Sequence, residues 1–154
     1  MNAKLADQPL RGKQPSPMDL ALFEAKAARD RGEVPIGAVI VGASGEIIAS
    51  AGNRTLELRD PTAHAELLAI REACAKLGSE RLIDCDLYVT LEPCAMCAGA
   101  ISFARVRRLY FGAADEKMGA VEHGSRFFAQ ATCHHRPDVY SGLGEDRARE
   151  LLRE

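Results

Sequence analysis

The sequence has little of what marks a secreted, membrane-spanning or charge-driven nucleic-acid-coating protein. No apolar run approaches the length of a membrane span. The first residues, MNAKLADQPLRGKQPSP, lack the apolar stretch of a signal peptide. Charge of one sign is not in excess: the formal net charge is -2, so bulk attraction to phosphate is not the basis of any partner. The five cysteines are odd in number and widely spread, unlike the paired framework of a small secreted scaffold. There is no internal repeat, and no second Cys-x-x-Cys that would complete a four-cysteine structural site. A cytoplasmic protein with free or metal-bound thiols is the expectation.

What is present suits one ordinary domain. The chain has 154 residues, 47% of them hydrophobic, enough for a core without covalent staples. Residues 1–15 read as a flexible leader and 16–154 as the domain. Ser16, Pro17 and Asp19 form a helix start, and Gly32 ends that helix near Arg31. PIGAVIV (35–41) and EIIASA (46–51) pattern as a hairpin around Ala43-Ser44-Gly45. Thr62 is the expected cap of a second helix over about 63–77. DLYVTLE (86–92) reads as a strand, and Pro93 as the opening of a third helix. RRLYFG (107–112) is a strand, 113–137 a stretch of loops, 138–141 a short strand and 145 onward a last helix. Alternating strands and helices imply a sheet with helices on both faces, its first pair antiparallel and other strands parallel.

Two segments carry the chemistry: Pro61-Thr62-Ala63-His64-Ala65-Glu66 and Glu92-Pro93-Cys94-Ala95-Met96-Cys97. Cys94 and Cys97 are three apart, so a helix places them on one face. In a first turn, unpaired amides and the helix dipole favour the thiolates that zinc requires. His64 is the natural third ligand. Three protein ligands leave one tetrahedral position open, the mark of a catalytic rather than a structural centre. A water acidified there needs a proton acceptor, and Glu66 is the candidate. Positions i and i+2 diverge in a regular helix, so His64 and Glu66 converge only at a helix end. A redox pair or a half zinc knuckle is the alternative for Cys94 and Cys97. Cys74 and Cys85 read as packed or surface thiols. Cys133-His134-His135 is the rival metal cluster.

His-x-Glu followed by Pro-Cys-x-x-Cys resembles the signature of the cytidine and deoxycytidylate deaminase superfamily. EVPIGAVIV (33–41), DPTAHAE (60–66), RLIDCDLYVTLEPCAMCAGA (81–100) and the segment Asp115-x-Lys117-x-Gly119-Ala120 are similar to its bacterial tRNA-specific adenosine deaminase branch. The resemblance implies a three-layer α/β/α sandwich around a mixed five-stranded sheet. It implies one zinc ion per subunit on His64, Cys94 and Cys97, with Glu66 as proton shuttle. Asn53, Glu92, Asp115 and Lys117 would be substrate-binding: Asn53 on the target nucleoside, Glu92 shaping the pocket floor, Asp115 and Lys117 along the RNA. As residues alone, Asn53 suits a turn and Asp115 and Lys117 suit solvated surface. The implied reaction is hydrolysis of adenosine to inosine in a tRNA anticodon loop, by a homodimer. Deamination of a free base or nucleoside, of guanine, cytosine or cytidine type, is the alternative, and an RNA-binding module with structural zinc is the third reading. One departure stands out: the family's last helix continues with Phe-Phe and basic residues, whereas this chain stops at Glu150-Leu151-Leu152-Arg153-Glu154. Either the chain is truncated, or Arg126, His134, His135 and Arg136 grip the anticodon loop instead.

Overall fold

The computed structural model describes residues 15–153. The leader expected at the N-terminus falls, apart from Pro15, outside the described residues. The first helix, α1 (Pro17–Asp30), starts on a reciprocal cap. Ser16 Oγ accepts from the Asp19 amide at 3.1 Å, and Asp19 Oδ2 accepts from the Ser16 amide at 3.0 Å. Its chain leaves through Gly32, whose φ of +87° an L side chain resists. Strands β1 (Gly37–Val41) and β2 (Ile47–Gly52) form the expected antiparallel hairpin. Helix α2 (Ala65–Leu77), strand β3 (Asp86–Leu91), helix α3 (Ala95–Phe103) and strand β4 (Arg108–Ala113) follow. A single 3-10 turn at Phe127–Ala129 interrupts the long connection to β5 (Asp138–Ser141), and α4 (Glu145–Arg153) closes the described chain.

The strand order is β2-β1-β3-β4-β5. Strand β1 pairs antiparallel with both β2 and β3, whereas β3, β4 and β5 run parallel. The sheet is therefore mixed and five-stranded, as expected. Side chains alternate across it. Ala38, Ile40, Leu87, Val89, Leu109 and Phe111 face one core with α2 and α3. Val39 and Val41 face the other with Met18 and Leu22 of α1 and Ala148 of α4. Both faces are covered, giving three layers. Helix α4 is tied back to α1 by an ion pair, Arg147 to Asp19 at 2.8 Å.

Two helix starts differ from the sequence expectation. Thr62 does not cap α2: its hydroxyl and amide both bond Asp60 Oδ1, at 2.7 and 2.8 Å, closing a turn one step too early. The cap residue is His64, in extended backbone, and the Ala65 amide is satisfied by Asn53 Oδ1 at 2.8 Å. Pro93 likewise precedes its helix, and Cys94 is the cap residue of α3.

Small residues let α1 lie directly on β1. Ala21, Ala25 and Ala28 are fully buried, and a Cβ on Gly37 would sit 1.9 Å from the Ala21 carbonyl oxygen and 2.6 Å from the Ala25 nitrogen. Backbone blocks that space, so it cannot be cleared by a rotamer change. Gly37→Ala is expected to destabilise the protein by about 3 kcal/mol in urea titration. An unaltered midpoint would remove this contact from the account of the core.

Candidate metal centre and active site

The starts of α2 and α3 meet beyond the end of β3. His64 caps α2 with φ -75° and ψ 152°, and Cys94 caps α3 with φ -74° and ψ 175°. Extended backbone at both caps aims the two side chains past their helices rather than along them. Cys97 follows in the first turn of α3 and is completely buried. His64 Nδ1 lies 3.7 Å from Cys94 Sγ and 3.6 Å from Cys97 Sγ. All three donor atoms fall within 4.8 Å of one another, the one such ligand group among the described residues. A tetrahedral zinc with sulfur at about 2.3 Å and nitrogen at about 2.0 Å separates adjacent donors by about 3.5 Å. The donor set and its spacing therefore fit zinc, with one tetrahedral position not supplied by these three side chains.

Electrostatics at the cysteines agrees with that use. The Cys94 thiol is brought down to about 5, chiefly by a hydrogen bond from Cys97, against the opposing effect of burial; the amides of Cys97 and Met96 and the His64 ring add to the lowering. Cys97, as donor to Cys94 and deeply buried, is pushed up. The pair thus favours one thiolate, and a bound cation would displace the second proton.

Glu66 stands two residues beyond the ligand histidine. The divergence expected of positions i and i+2 is overcome because His64 lies outside the helix and Glu66 in its first turn. Glu66 is buried, and its Oε1 has no hydrogen-bond partner in the protein. Burial pushes its carboxyl up to about 7, with the neighbouring Cys94 charge adding to the rise and its own amide and His64 opposing it. A buried carboxyl oxygen without a partner is uncommon in a finished interior. Here it borders a cavity of about 270 Å³ that also reaches His64 and Cys94.

Asn53, Glu92 and Asp115 line this cavity, as do five positions the sequence did not single out: Val34, Ile36, Thr55, Leu91 and Met118. Val34 and Ile36 alternate along the lead into β1, so a two-residue period was the available signal. Nothing in the pattern marked Met118. Asn53 is buried just after β2 and before the turn that starts at Thr55, and its carboxamide oxygen accepts from the Ala65 amide twelve residues on. Glu92 has a different place from a free pocket group. Its Oε2 accepts from the amides of Val121, Glu122 and His123 at 2.9–3.1 Å, and its Oε1 accepts from the Asp115 amide and meets His123 Nδ1 at 2.8 Å. Burial works to raise its pKa, but these bonds outweigh it and hold the carboxyl below its ordinary value. Glu92 thereby shapes the cavity through the 115–123 loop. Asp115 Oδ1 in turn accepts from the amides of Lys117 and Met118 at 3.1 and 3.0 Å. Lys117 is exposed and lines an open groove of about 530 Å³, which shares His64, Cys94 and Met118 with the cavity.

The rival cluster forms no ligand group among the described residues, and two of its three side chains are already engaged. Cys133 Sγ donates to the His135 carbonyl at 3.1 Å and lies 3.5 Å from Ser102 Oγ, while His135 Nε2 meets the Val106 carbonyl at 2.6 Å. These contacts anchor the segment leading into β5. Arg136 bonds the Phe128 and Gln130 carbonyls and Arg126 the Glu122 carbonyl, so both guanidinium groups already serve the loop. Of the four residues Arg126, His134, His135 and Arg136, all but the half-buried His135 are exposed.

Residues 13–113 match the model of the cytidine and deoxycytidylate deaminase zinc-binding region. The chain is 66% identical over 137 residues to a tRNA-specific adenosine deaminase of Agrobacterium fabrum, covering 89% of this chain and 90% of that protein. It resembles a solved structure from a study of A-to-I editing by tRNA deaminases at the wobble position of transfer RNA, with a TM-score of 0.87, 65% identity and coverage of 88% of this chain and 98% of that one. A guanine deaminase from Nitrosomonas europaea is more distant, at a TM-score of 0.74 and 28% identity over 99% of this chain and 92% of its own.

The Glu66 carboxyl gives a pH dependence of stability. Its folded value of about 7 lies above the ordinary 4.5, so the protonated form stabilises the fold. That contribution is full below about pH 4.5 and is lost as pH rises through 7, a change of about 3 kcal/mol. Urea midpoints of the metal-free protein should therefore fall from pH 5 to 8 relative to those of Glu66→Gln, on the order of this difference. Parallel profiles for the two proteins would contradict the burial argument.

Proposed function

Because the chain belongs to the cytidine and deoxycytidylate deaminase family, we propose that it hydrolyses adenosine to inosine at the wobble position of a tRNA anticodon, with zinc at His64, Cys94 and Cys97. The observation that carries this reading is the buried, unpartnered Glu66 oxygen at the wall of a nucleobase-sized cavity beside the three donors. The 66% identical tRNA-specific adenosine deaminase supports the choice of substrate.

His64, Cys94 and Cys97 would hold the zinc, which when bound would acidify a water toward neutrality and so supply the nucleophile. The protein does the rest. Glu66, with its pKa raised to about 7 by burial, takes a proton from the water and hands one to the adenine ring, making the amino-bearing carbon more electrophilic. It then takes the second proton from the attacking oxygen, which becomes the carbonyl, and passes it to the departing amine, so water enters and ammonia leaves. Asn53 presents its NH₂ end to the nucleoside, since its oxygen is held by the Ala65 amide. Val34, Ile36, Leu91 and Met118 form the apolar walls that take the faces of a base drawn out of its stack. Lys117 meets the RNA backbone along the adjoining groove. A homodimer working in the cytoplasm belongs to the same reading, with exposed Leu56, Leu58 and Phe103 as apolar side chains available to bury. No helix among the described residues is long and apolar enough to cross a membrane.

The test is incubation of the zinc-loaded protein with an anticodon stem-loop, and separately with adenosine, cytidine and guanine. Inosine should form in the stem-loop alone. Turnover of guanine or a free nucleoside with an inert stem-loop would favour the alternative that the guanine deaminase likeness represents. In the same assay Glu66→Gln should lose about 10²–10⁴-fold in kcat while metal analysis still finds zinc.

A further inference from the structure

The far side of the cavity is built from a segment that begins at Asn53, and the turn after α1 grips that segment at several points. Arg31 Nη2 donates to the Asn53 carbonyl at 3.0 Å. Glu33, itself buried, accepts from the Leu56 amide at 3.1 Å and the Thr55 hydroxyl at 3.4 Å on Oε1, and from the Glu57 amide at 2.9 Å on Oε2. Two residues of the gripped segment, Asn53 and Thr55, line the cavity. Val34 and Ile36, one and three residues after Glu33, line it as well. One short stretch of chain thus supplies part of the wall and holds the rest of it.

The partners of Glu33 are main-chain amides as well as a hydroxyl, so the contact sets where the loop runs. The Leu56 and Glu57 amides have no place in a helix or strand ladder and would otherwise turn to water. Their bonds to a carboxylate are charge-assisted and directional. Asn53 at the head of the segment also satisfies the first amide of α2, next to His64, so the wall and the donor cluster share one frame.

We propose that Glu33 is a positioning residue for the target base: by holding residues 55–57 against the end of α1 it sets the cavity wall, and so the angle at which the base meets Glu66 and the donor cluster. This rests on the reading of the cavity as the adenosine pocket. RNA affinity comes mainly from backbone contacts along the groove outside, so misplacing the wall affects the reacting geometry more than the binding.

The experiment compares wild type, Glu33→Gln and Glu33→Ala, all zinc-loaded, on the anticodon stem-loop. Folding is checked by circular dichroism and zinc by metal analysis. Glu33→Ala is expected to lose roughly 10- to 100-fold in kcat with KM for the stem-loop changed by less than about threefold. Glu33→Gln keeps one carbonyl acceptor and should fall between the two. Amide hydrogen exchange at Leu56 and Glu57 should rise in Glu33→Ala, with the Ala65 amide less affected. If Glu33→Ala does not fold, Glu33→Gln is read by the same split. Folded, zinc-replete variants with wild-type kcat, or with the whole loss in KM, overturn the positioning role. A wild type inert toward the stem-loop overturns the proposed function and the positioning role together. An active wild type with indifferent Glu33 variants overturns the positioning role alone.

Discussion

The site depends on two helices beginning at the same point in space. His64 and Cys94 are both cap residues in extended backbone, and Cys97 completes the group from the first turn of α3. A helix turns through about 100° and advances about 1.5 Å per residue. A shift of either helix by one position would part the three donors. The sheet forbids such a shift, because α2 and α3 pack on one face of it through Ala65, Ala69, Ile70, Ala98 and Ile101, all buried. Helix starts also suit the chemistry. Their unpaired amides and positive dipole ends favour thiolate over thiol, so the place that organises the ligands also prepares them.

Three buried glutamates surround this point and differ only in their partners. Glu33 and Glu92 accept hydrogen bonds from loop amides, and both are held ionised below the ordinary range although burial opposes it. They act as fixed pegs for the 55–57 and 115–123 loops on either side of the cavity. Glu66 has no partner on Oε1, and burial drives it the other way, to about 7. Saturated carboxylates carry structure, while one left unsaturated beside a cavity is free to exchange a proton. Close packing keeps this arrangement in register. A Cβ on Gly119 would lie 2.5 Å from Glu92 Cδ and 2.4 Å from the Asp115 carbonyl oxygen, so only glycine lets the loop approach its peg.

Much of this was legible from residue order. The spacing of Cys94 and Cys97, the upstream His64 and Glu66, the caps at Ser16 and Gly32 and the alternation of strand and helix are local signals, and each has its structural counterpart. The misplaced caps show the limit of local reasoning. Thr62 has the right chemistry for a helix start but bonds Asp60, while Asn53, far off in sequence, satisfies the Ala65 amide. The Cys133-His134-His135 run has the composition of a ligand set, yet carbonyls from Val106 and from His135 itself engage its donors.

Sequence alone determined which residue types would gather around a cation, the mixed five-stranded sandwich that carries them, and the family to which the pattern conforms. The cation-binding set and the sheet covered on both faces follow from short-range spacing and periodicity, which act within a turn or two of chain. The five-stranded sandwich and the family rest instead on the resemblance of the motifs to known deaminases. Tertiary structure decided which carboxylate is left without a partner, which loops form the cavity wall, and that Glu33 rather than a residue of the motif holds one of them. Such matters depend on amides and carbonyls supplied by distant segments, and the identity of a glutamate does not reveal which of them it will meet.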